Sequence, residues 1–375
     1  MDYTCISADD HIDLRFLPED VFTERAPAHL RDRVPHVVAV EDSNTPDMYD
    51  WVADGKVLGV WGCYPSRKGG TAWAIERGGA LEPGVLRPTI PELRLADMDR
   101  DGVQASVMYG PTDPFLIDDP EVRHATFRAY NDWVLEFERA APERIIGVAQ
   151  LDNTDPEFAA DELERTAGLG IRHVNVLAGT ASPPWYEPEW ERFWSIADET
   201  GIPIGSHLTV VVRRAPSGNG KPKPDYSNAV LNLGQQLVDP YAGLILTGCY
   251  DRHPGLKTVM AESQISWVPN IIQTLDNGWT RGRAGTLSGV FSACELKPSE
   301  YFERNIWMTF QDDAFGVQML PMLHEDKVMW ASDYPHPAST WPESQQIIKR
   351  QLDGVVNDET RRKLLVDNAK ELYGL

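Results

Sequence analysis

The sequence is poor in cysteine, and the cysteines that it has do not cluster. Cys5, Cys63, Cys249 and Cys294 are widely scattered along the 375 residues. This spacing excludes a C-x-x-C zinc motif, and the low density excludes a small scaffold held together by disulfide bonds. We therefore expect a protein of a reducing compartment.

Positive charge is also scarce, since 35 Lys and Arg residues face 57 Asp and Glu residues, for a formal net charge of -22. Such a charge repels nucleic-acid phosphates and anionic membrane surfaces unless a basic patch forms locally. The densest basic stretch, Arg213 to Lys223, is interleaved with Pro and Gly and has no aromatic residue that could stack on bases. We expect neither a nucleic-acid nor a membrane partner.

Long hydrophobic runs are absent as well. No apolar stretch approaches the length that spans a bilayer, and Asp2 stands where a signal peptide needs basic residues. These features predict a cytoplasmic protein.

What the sequence does contain is an alternation of short apolar or β-branched runs with longer amphipathic stretches, which is typical of parallel strands joined by helices. One such helix is indicated by Asp155 as N-cap followed by Pro156. Eight strands predict an α/β fold of the (β/α)8 TIM-barrel type. They are Thr4–Ser7, Ala105–Tyr109, Ile145–Gln150, His173–Leu177, Ile202–Ser206, Leu256–Ala261, Asn305–Phe310 and Val328–Ser332.

Three segments do not fit this alternation and are interpreted as insertions into a single domain that covers residues 1–375. They are residues 33–91, 210–227 and 278–298. The first contains Trp51, Trp61, Tyr64 and Trp73 among many glycines. Because it follows strand one, we expect it to form a small cap over the barrel mouth rather than an independent domain.

Candidate functional residues follow from position, since side chains at the carboxyl ends of barrel strands converge on one pocket. Asp9 and His11 leave the first strand two residues apart, so strand alternation points both the same way. His207 follows the fifth strand and Asp333 follows the eighth. Two imidazoles and two carboxylates form a mixed nitrogen and oxygen set that suits zinc, manganese or iron.

Three motifs give these positions a family resemblance: Asp9-x-His11, Gly205-Ser206-His207 and Ser332-Asp333-Tyr334-Pro335-His336. They are similar to motifs of the amidohydrolase-related family, which includes the aminocarboxymuconate-semialdehyde decarboxylase-like enzymes. Four further stretches also resemble this family: Leu95–Val103, Asn131–Trp133, Arg144–Val148 and Asp251–Lys257.

The resemblance implies that Asp9, His11, His207 and Asp333 bind one divalent metal ion, with zinc as the first choice and manganese or iron as alternatives. The centre is expected to be mononuclear, because the fourth strand ends without the lysine that bridges two metals in other members of the superfamily. The resemblance also implies a small-molecule substrate and a homodimer or higher homo-oligomer.

Catalytic roles are expected for Asp333, Glu262 and His336. Glu262 follows strand six, where decarboxylating relatives usually place a histidine. It could be a general base, a further metal ligand or a residue that orients water, or it could pair with an arginine of an insertion. His336 could contact substrate or transfer a proton, or it could cap a helix that begins near Trp341.

Three functions are consistent with these residues. The first hypothesis is hydrolysis, in which a metal-activated water attacks an amide, lactone or related carbonyl of a small aromatic or unsaturated acid. The second is non-oxidative decarboxylation of an aromatic or muconate-like acid, with Asp333 protonating the carbon. The third is a metal-binding scaffold without activity, which metal analysis of the purified protein would separate from the other two.

Overall fold

The computed structural model describes residues 2–40, 49–62, 85–111, 117–209, 214–215, 223–224, 234–282, 289–336 and 338–375. The strands are β1 (Ile6–His11), β2 (His36–Ala39), β3 (Tyr49–Ala53), β4 (Lys56–Trp61), β5 (Ala105–Tyr109), β6 (Ile145–Gly147), β7 (Ala149–Gln150), β8 (Val174–Asn175), β9 (Ile204–His207), β10 (Arg214–Ala215), β11 (Lys223–Pro224), β12 (Thr258–Ala261), β13 (Ile306–Phe310) and β14 (Val328–Trp330).

The α-helices are α1 (Pro91–Asp101), α2 (Pro120–Glu138), α3 (Pro156–Gly168), α4 (Glu191–Thr200), α5 (Val238–Leu246), α6 (Cys249–Arg252), α7 (Val268–Gly282), α8 (Pro298–Asn305), α9 (Ala314–Gln318), α10 (Ser344–Leu352), α11 (Asp358–Arg362) and α12 (Asn368–Tyr373). A π-helical turn, Lys363–Asp367, connects α11 to α12. The 3-10 helices are Leu14–Phe16, Ala28–Leu30, Arg87–Thr89, Ala178–Thr180, Pro188–Trp190, Gly234–Leu237, Leu320–Met322 and Glu325–Lys327.

All eight predicted strand regions contain parallel strands within the described residues. One sheet has the order β1-β5-β6, and a second has the order β14-β13-β12-β9-β8-β7. The predicted run Ile145–Gln150 supplies both β6 and β7, which are separated by Val148 alone. Two consecutive strands that pair in parallel must be joined by a crossover connection, usually a helix. The helices that lie between these strands in the chain provide such connections.

Backbone hydrogen bonds link the two parallel sheets at both of their ends. At the first link, the Val148 N–H donates to Met108 at 3.2 Å and the next residue, Ala149, donates to His173 at 3.1 Å. At the second link, the Asp333 N–H donates to the Asp9 carbonyl at 2.9 Å, and the His11 N–H donates to Tyr334 at 2.6 Å. The second link therefore brings together the segments that carry candidate site residues.

Burial explains why the parallel strands appear in the sequence as nearly continuous apolar runs. Every residue of the parallel strands is buried, as expected for sheets covered on both faces. The antiparallel sheet β2-β3-β4 differs, because most of its residues are partly or fully exposed.

The segment predicted as a cap contains this antiparallel sheet, which is attached to the chain immediately after β1. The indole N–H of Trp51 donates to the Leu14 carbonyl at 2.8 Å, and that of Trp61 donates to the Leu17 carbonyl at 3.0 Å. Tyr64 and Trp73, the other aromatic residues named in the prediction, lie outside the described residues.

The other two predicted insertions are described only in part. Within residues 210–227 the structure describes an antiparallel pair, β10 with β11. The third predicted insertion, residues 278–298, begins inside α7, which continues to Gly282. A Cβ at Gly278 would lie 2.8 Å from the Phe291 ring, so this glycine permits a close contact inside the helix.

The expectations about membranes and cysteines can be compared with the described residues. None of the helices in the described part of the chain is long and apolar enough to cross a bilayer. Cys5, Cys249 and Cys294 are buried, and Cys63 lies outside the described residues.

The end of α1 is tied to the start of α10 by a buried carboxylate whose ionisation should affect stability. Asp101 accepts hydrogen bonds from the Ser344 N–H at 3.0 Å and from its hydroxyl at 2.5 Å. Burial nevertheless raises the pKa of Asp101 from 3.8 to about 6. Between these two values the folded protein binds the proton more tightly than the unfolded chain does, so the free energy of unfolding falls as pH rises.

We expect this single group to lower the free energy of unfolding by about 2 kcal/mol between pH 4 and pH 6. In the Asp101→Asn variant that contribution should disappear, so the difference in unfolding free energy between variant and wild type should change over this interval. Denaturant unfolding at several pH values measures it. A pH-independent difference would show that Asp101 does not titrate there.

Candidate metal centre

Six candidate residues lie at or just beyond the carboxyl ends of four parallel strands. Asp9 and His11 end β1, His207 ends β9, and Glu262 follows β12; Asp333 and His336 follow β14. Asp9, His11 and Asp333 have no exposed surface, and His207 is 2% exposed. The sequence-based expectation that these side chains converge at one edge of the sheet is met by the distances between them.

The first strand is longer than the sequence predicted, and this extension positions two of the residues. The prediction ended it at Ser7, whereas β1 continues through three polar residues to His11. These polar residues remain part of the strand because β1 pairs with β5 as far as His11, which lies opposite Tyr109. The register of this pairing shifts between Ser7 and Asp10. Asp9 lies within that bulge, and it still faces the same side as His11, since its Oδ1 is 3.6 Å from His11 Nε2.

Asp9 and the two imidazoles form a compact group. Asp9 Oδ1 lies 3.6 Å from His11 Nε2 and 3.5 Å from His207 Nε2. The two imidazole rings meet edge to face, with centroids 4.7 Å apart. His11 Nε2 also lies 3.0 Å from Asp333 Oδ1, so His11 connects this group to the loop after β14.

The buried atoms at the centre of this arrangement lack hydrogen bonds. Among the described residues, Asp9 Oδ1, His11 Nε2, His207 Nε2 and both Asp333 carboxylate oxygens have no hydrogen-bond partner. Leaving a buried polar group unpaired costs about 1–3 kcal/mol, and more for a charged group. Several such atoms pointing at one another are the arrangement that a bound cation would satisfy, so the donor set fits a divalent metal ion.

His207 is held in the tautomer that a metal ligand requires. Its Nδ1–H donates to the Leu208 carbonyl oxygen at 2.7 Å, which leaves Nε2, 3.5 Å from Asp9 Oδ1, as the nitrogen that could exchange its proton for a metal ion. Burial alone would lower the pKa of His207, but the carboxylates of Asp9 and Glu262 outweigh burial and raise this pKa to about 9. Positive charge is therefore favoured at this position.

Glu262 faces the same group from the end of β12. Its Oε2 lies 3.3 Å from His207 Nε2, and its backbone N–H donates to the Thr309 hydroxyl at 2.8 Å. Burial, with the nearby Asp333 carboxylate, raises the pKa of Glu262 to about 8. Within the described residues its charged partner is His207, and it does not pair with an arginine there, which was the alternative that the sequence left open.

His336 also belongs to the cluster and does not cap a helix. Its ring stacks on that of His11 with centroids 3.7 Å apart, and its Nδ1 lies 3.0 Å from Asp333 Oδ1. Helix α10 begins at Ser344, well beyond it. Burial opposes protonation of His336, but Asp13 and Asp333 outweigh it and raise its pKa well above the ordinary value.

Asp13 is a site residue that the sequence reasoning missed. Both of its carboxylate oxygens lie 3.2 Å from His336 Nε2. Burial opposes its ionisation, but His336 outweighs burial and lowers the pKa of Asp13 to about 2. The signal was present, because Asp9, His11 and Asp13 alternate along the chain and alternation points such residues the same way.

Two overlapping sets of side chains could hold a metal ion in the described part of the chain. One is Asp9, His11 and His207; the other is His11, Glu262, Asp333 and His336. In each set the possible ligand atoms lie within 4.8 Å of one another. The four predicted ligands are therefore close together, but Asp333 groups with Glu262 and His336, and His11 is common to both sets.

Comparison with known proteins identifies relatives of this chain. It is 24% identical over 311 residues to the gamma-resorcylate decarboxylase of Rhodococcus jostii (strain RHA1), a match that covers 76% of this chain and 88% of the relative. Among solved structures, an amidohydrolase from Mycobacterium avium subsp. paratuberculosis K-10 has a TM-score of 0.74 and 20% identity, covering 100% of this chain and 99% of that chain.

A second solved structure holds a metal ion. It is a 5-carboxyvanillate decarboxylase from Novosphingobium aromaticivorans DSM 12444, complexed with manganese and 4-hydroxy-3-methoxy-5-nitrobenzoic acid. Its TM-score is 0.65 at 18% identity, covering 100% of this chain and 96% of that chain. Structural similarity at this level implies a TIM-barrel α/β fold. The amidohydrolase family model matches residues 36–375. The chain therefore belongs to the amidohydrolase family and is an enzyme of that superfamily.

Proposed function

We propose that this enzyme is a metal-dependent, non-oxidative decarboxylase of a hydroxylated aromatic acid. The observation that carries the proposal is the convergence of unpaired, buried ligand atoms beside a histidine that can supply a proton to Asp333. Hydrolysis was the first hypothesis from sequence, but the decarboxylase relatives favour the second hypothesis. Membership of an enzyme family argues against the third, an inactive scaffold.

Asp9, His11, His207 and Asp333 are the proposed metal ligands. Manganese is our preferred ion, because two carboxylates among four ligands suit a hard cation and the similar 5-carboxyvanillate decarboxylase is complexed with manganese. Zinc, the first choice from sequence, is not supported in the same way. The chemistry that such an ion supplies is Lewis-acid attraction for the carboxylate and the neighbouring hydroxyl oxygen of a substrate.

Asp333 is the proposed proton donor to the substrate. Decarboxylation breaks the bond between the ring carbon and the carboxylate; the electron pair stays on the ring carbon, carbon dioxide leaves, and a proton replaces it. His336 Nδ1 lies 3.0 Å from Asp333 Oδ1, so a proton can pass from this imidazole to the carboxylate and then to the ring carbon. Asp13 holds the other nitrogen of His336 and fixes the ring.

Glu262 is proposed to stand in for the histidine of decarboxylating relatives. Burial next to Asp333 raises the pKa of Glu262 to about 8, which favours a protonated carboxyl group. A protonated carboxyl can donate a hydrogen bond, as an imidazolium can, whereas an ionised carboxylate only accepts. We propose that Glu262 donates to an oxygen of the substrate and does not act as a base.

The remaining sequence predictions concern the barrel, its cap, the substrate and the oligomeric state. We propose that the eight parallel strands close into a (β/α)8 barrel that forms one domain over residues 1–375. The antiparallel sheet attached after β1 is proposed to be a cap over the barrel mouth. A small-molecule substrate and a homodimer or higher homo-oligomer remain predictions.

The test is a panel of substrates offered to the manganese-loaded enzyme. Hydroxylated aromatic acids such as 2,6-dihydroxybenzoate and 5-carboxyvanillate should release carbon dioxide and the matching arene in equal amounts. In deuterated water the product should carry one deuterium at the carbon that lost the carboxylate. Esters, lactones and amides form the second half of the panel. Turnover there, with oxygen from labelled water in the product and no release of carbon dioxide, would restore hydrolysis and exclude the proposal.

A further inference from the structure

Asp10 lies between the two candidate ligands of β1 but on the opposite face of the strand. Its side chain is buried, with 1% of its surface exposed. Within the described residues, none of its hydrogen bonds comes from the side chain of a candidate metal ligand. Its carboxylate nevertheless accepts five hydrogen bonds. At Oδ1 the donors are the Ser7 hydroxyl at 2.8 Å, the Ser332 hydroxyl at 2.7 Å and the Tyr334 N–H at 3.1 Å; at Oδ2 they are the Ser106 hydroxyl at 2.5 Å and Arg94 Nη2 at 3.2 Å.

Four of these donors come from three elements that meet at the candidate site. Ser7 is on β1, Ser106 is on β5, and Ser332 and Tyr334 immediately flank Asp333 in the loop after β14. The bulge in β1 makes this possible, because Ser7 and Asp10 would face opposite sides of a regular strand. A single carboxylate therefore ties the strand that carries Asp9 and His11 to the loop that carries Asp333.

The bond to Tyr334 bears directly on the conformation of Asp333. Asp333 has a φ of 61°, in the left-handed region that residues other than glycine seldom adopt. Such a conformation persists only where surrounding contacts fix it. The peptide before Asp333 is fixed by its N–H bond to the Asp9 carbonyl, and the peptide after it is fixed by the bond from the Tyr334 N–H to Asp10.

Arg94 completes the connection from α1. Its side chain has no exposed surface, so the charge of Asp10 is balanced inside the protein. Besides its bond to Asp10, it donates from Nη1 to the His11 carbonyl oxygen at 3.1 Å. The guanidinium also lies over the Tyr334 ring, with Cζ 4.6 Å from the centroid. Arg94 thus touches the backbone of one candidate ligand and the neighbour of another.

We infer that Asp10, together with Arg94, is a positioning residue that sets the separation between the metal ligands of β1 and Asp333. The inference rests on the proposed function, since it assumes that these residues bind a metal ion. A ligand set of this kind loses affinity when a contact that orients it is removed, typically by about 10–100-fold. Asp10 itself does not touch the ion or the substrate.

The test compares Asp10→Asn with the wild-type chain. We expect its dissociation constant for manganese, measured by competition with a chromogenic chelator, to rise by about 10–100-fold. The matched control is Glu162→Gln, which neutralises another fully buried carboxylate that pairs with an arginine, Arg165, at 2.7 Å and that contributes no candidate ligand. This control should be less stable to heat without any change in manganese affinity.

Ser106→Ala and Ser332→Ala keep the inference testable if Asp10→Asn does not fold, because each removes one hydrogen bond to Asp10. Each is expected to weaken manganese binding by several-fold. Wild-type affinity in Asp10→Asn and in both serine variants would overturn the inference, and so would an equal loss in Glu162→Gln. Failure of the wild-type protein to bind manganese would instead overturn the proposed function, so the two failures are distinguishable.

Discussion

Asp333→Ala is expected to lose nearly all catalytic activity, with kcat/KM falling by at least about 1,000-fold. The loss has two causes. Both carboxylate oxygens are buried without a hydrogen bond beside His11, so their removal takes away a proposed metal ligand. The same carboxylate is the proposed proton donor, because His336 Nδ1, which can supply the proton, lies 3.0 Å from Asp333 Oδ1. Steady-state assays and metal analysis measure the two effects separately.

Asp333→Asn is the matched variant. Asparagine tolerates the left-handed backbone conformation that Asp333 adopts at a φ of 61°, so the loop should keep its shape. The amide has neither the negative charge that attracts a cation nor a carboxyl proton to donate. We expect activity as low as in Asp333→Ala, with circular dichroism unchanged. Wild-type turnover in the Asn variant would refute the proton-donor role.

Removal of metal is the second change with a large expected effect. Dialysis against a strong chelator should abolish turnover, and manganese should restore it, because the proposed Lewis-acid attraction for the substrate oxygens is lost with the ion. Binding should also stabilise the fold. At a free manganese concentration about 100 times the dissociation constant, an ion that binds only the folded chain adds about 2.7 kcal/mol to the free energy of unfolding.

Thermal unfolding with and without manganese measures that stabilisation, and His207→Ala is its control. His207 has one nitrogen fixed by the Leu208 carbonyl and the other directed at Asp9, so its only available role toward a cation is as a ligand through Nε2. The variant should fold but show no rise in melting temperature with manganese. Full activity of chelator-treated wild-type protein would show that the reaction needs no metal.

The choice between hydrolysis and decarboxylation could not have been made from the ligands alone. Two imidazoles and two carboxylates serve either reaction, because both begin with attraction between a cation and substrate oxygens. The absence of the usual histidine at Glu262 made decarboxylation look less favourable. Burial next to Asp333 raises the pKa of Glu262, which favours the protonated, hydrogen-bond-donating form that we propose for it.

The strands were predictable because parallel strands covered on both faces must be apolar along their whole length. Ala105–Tyr109 was predicted with its observed bounds. The predictions were poorer where polar residues continue a strand, as in β1, whose last three residues are Asp9, Asp10 and His11. Polar side chains carry no strand signal of their own, and their burial depends on partners that are distant in the sequence.

For the site, position at a strand end was enough to select Asp9, His11, His207 and Asp333. It was not enough to place His336, whose ring stacks on His11 because the loop after β14 turns back over β1. It also missed Asp13 and Asp10, because neither stands out as an isolated residue type. Their importance arises from donors on other strands, at sequence separations of up to 324 residues.

The sequence by itself determined where the parallel strand regions lie in the chain and at which edge of the sheet the candidate site residues gather, because both follow from local patterns of apolar and polar residues. Only the tertiary structure decided which charges neutralise one another there. The pairing of His336 with Asp13, the raised pKa of Glu262 and the links from Asp10 all depend on distances of a few ångströms between segments far apart in the chain. Electrostatic and hydrogen-bond energies fall steeply with such distances, so no local pattern encodes them.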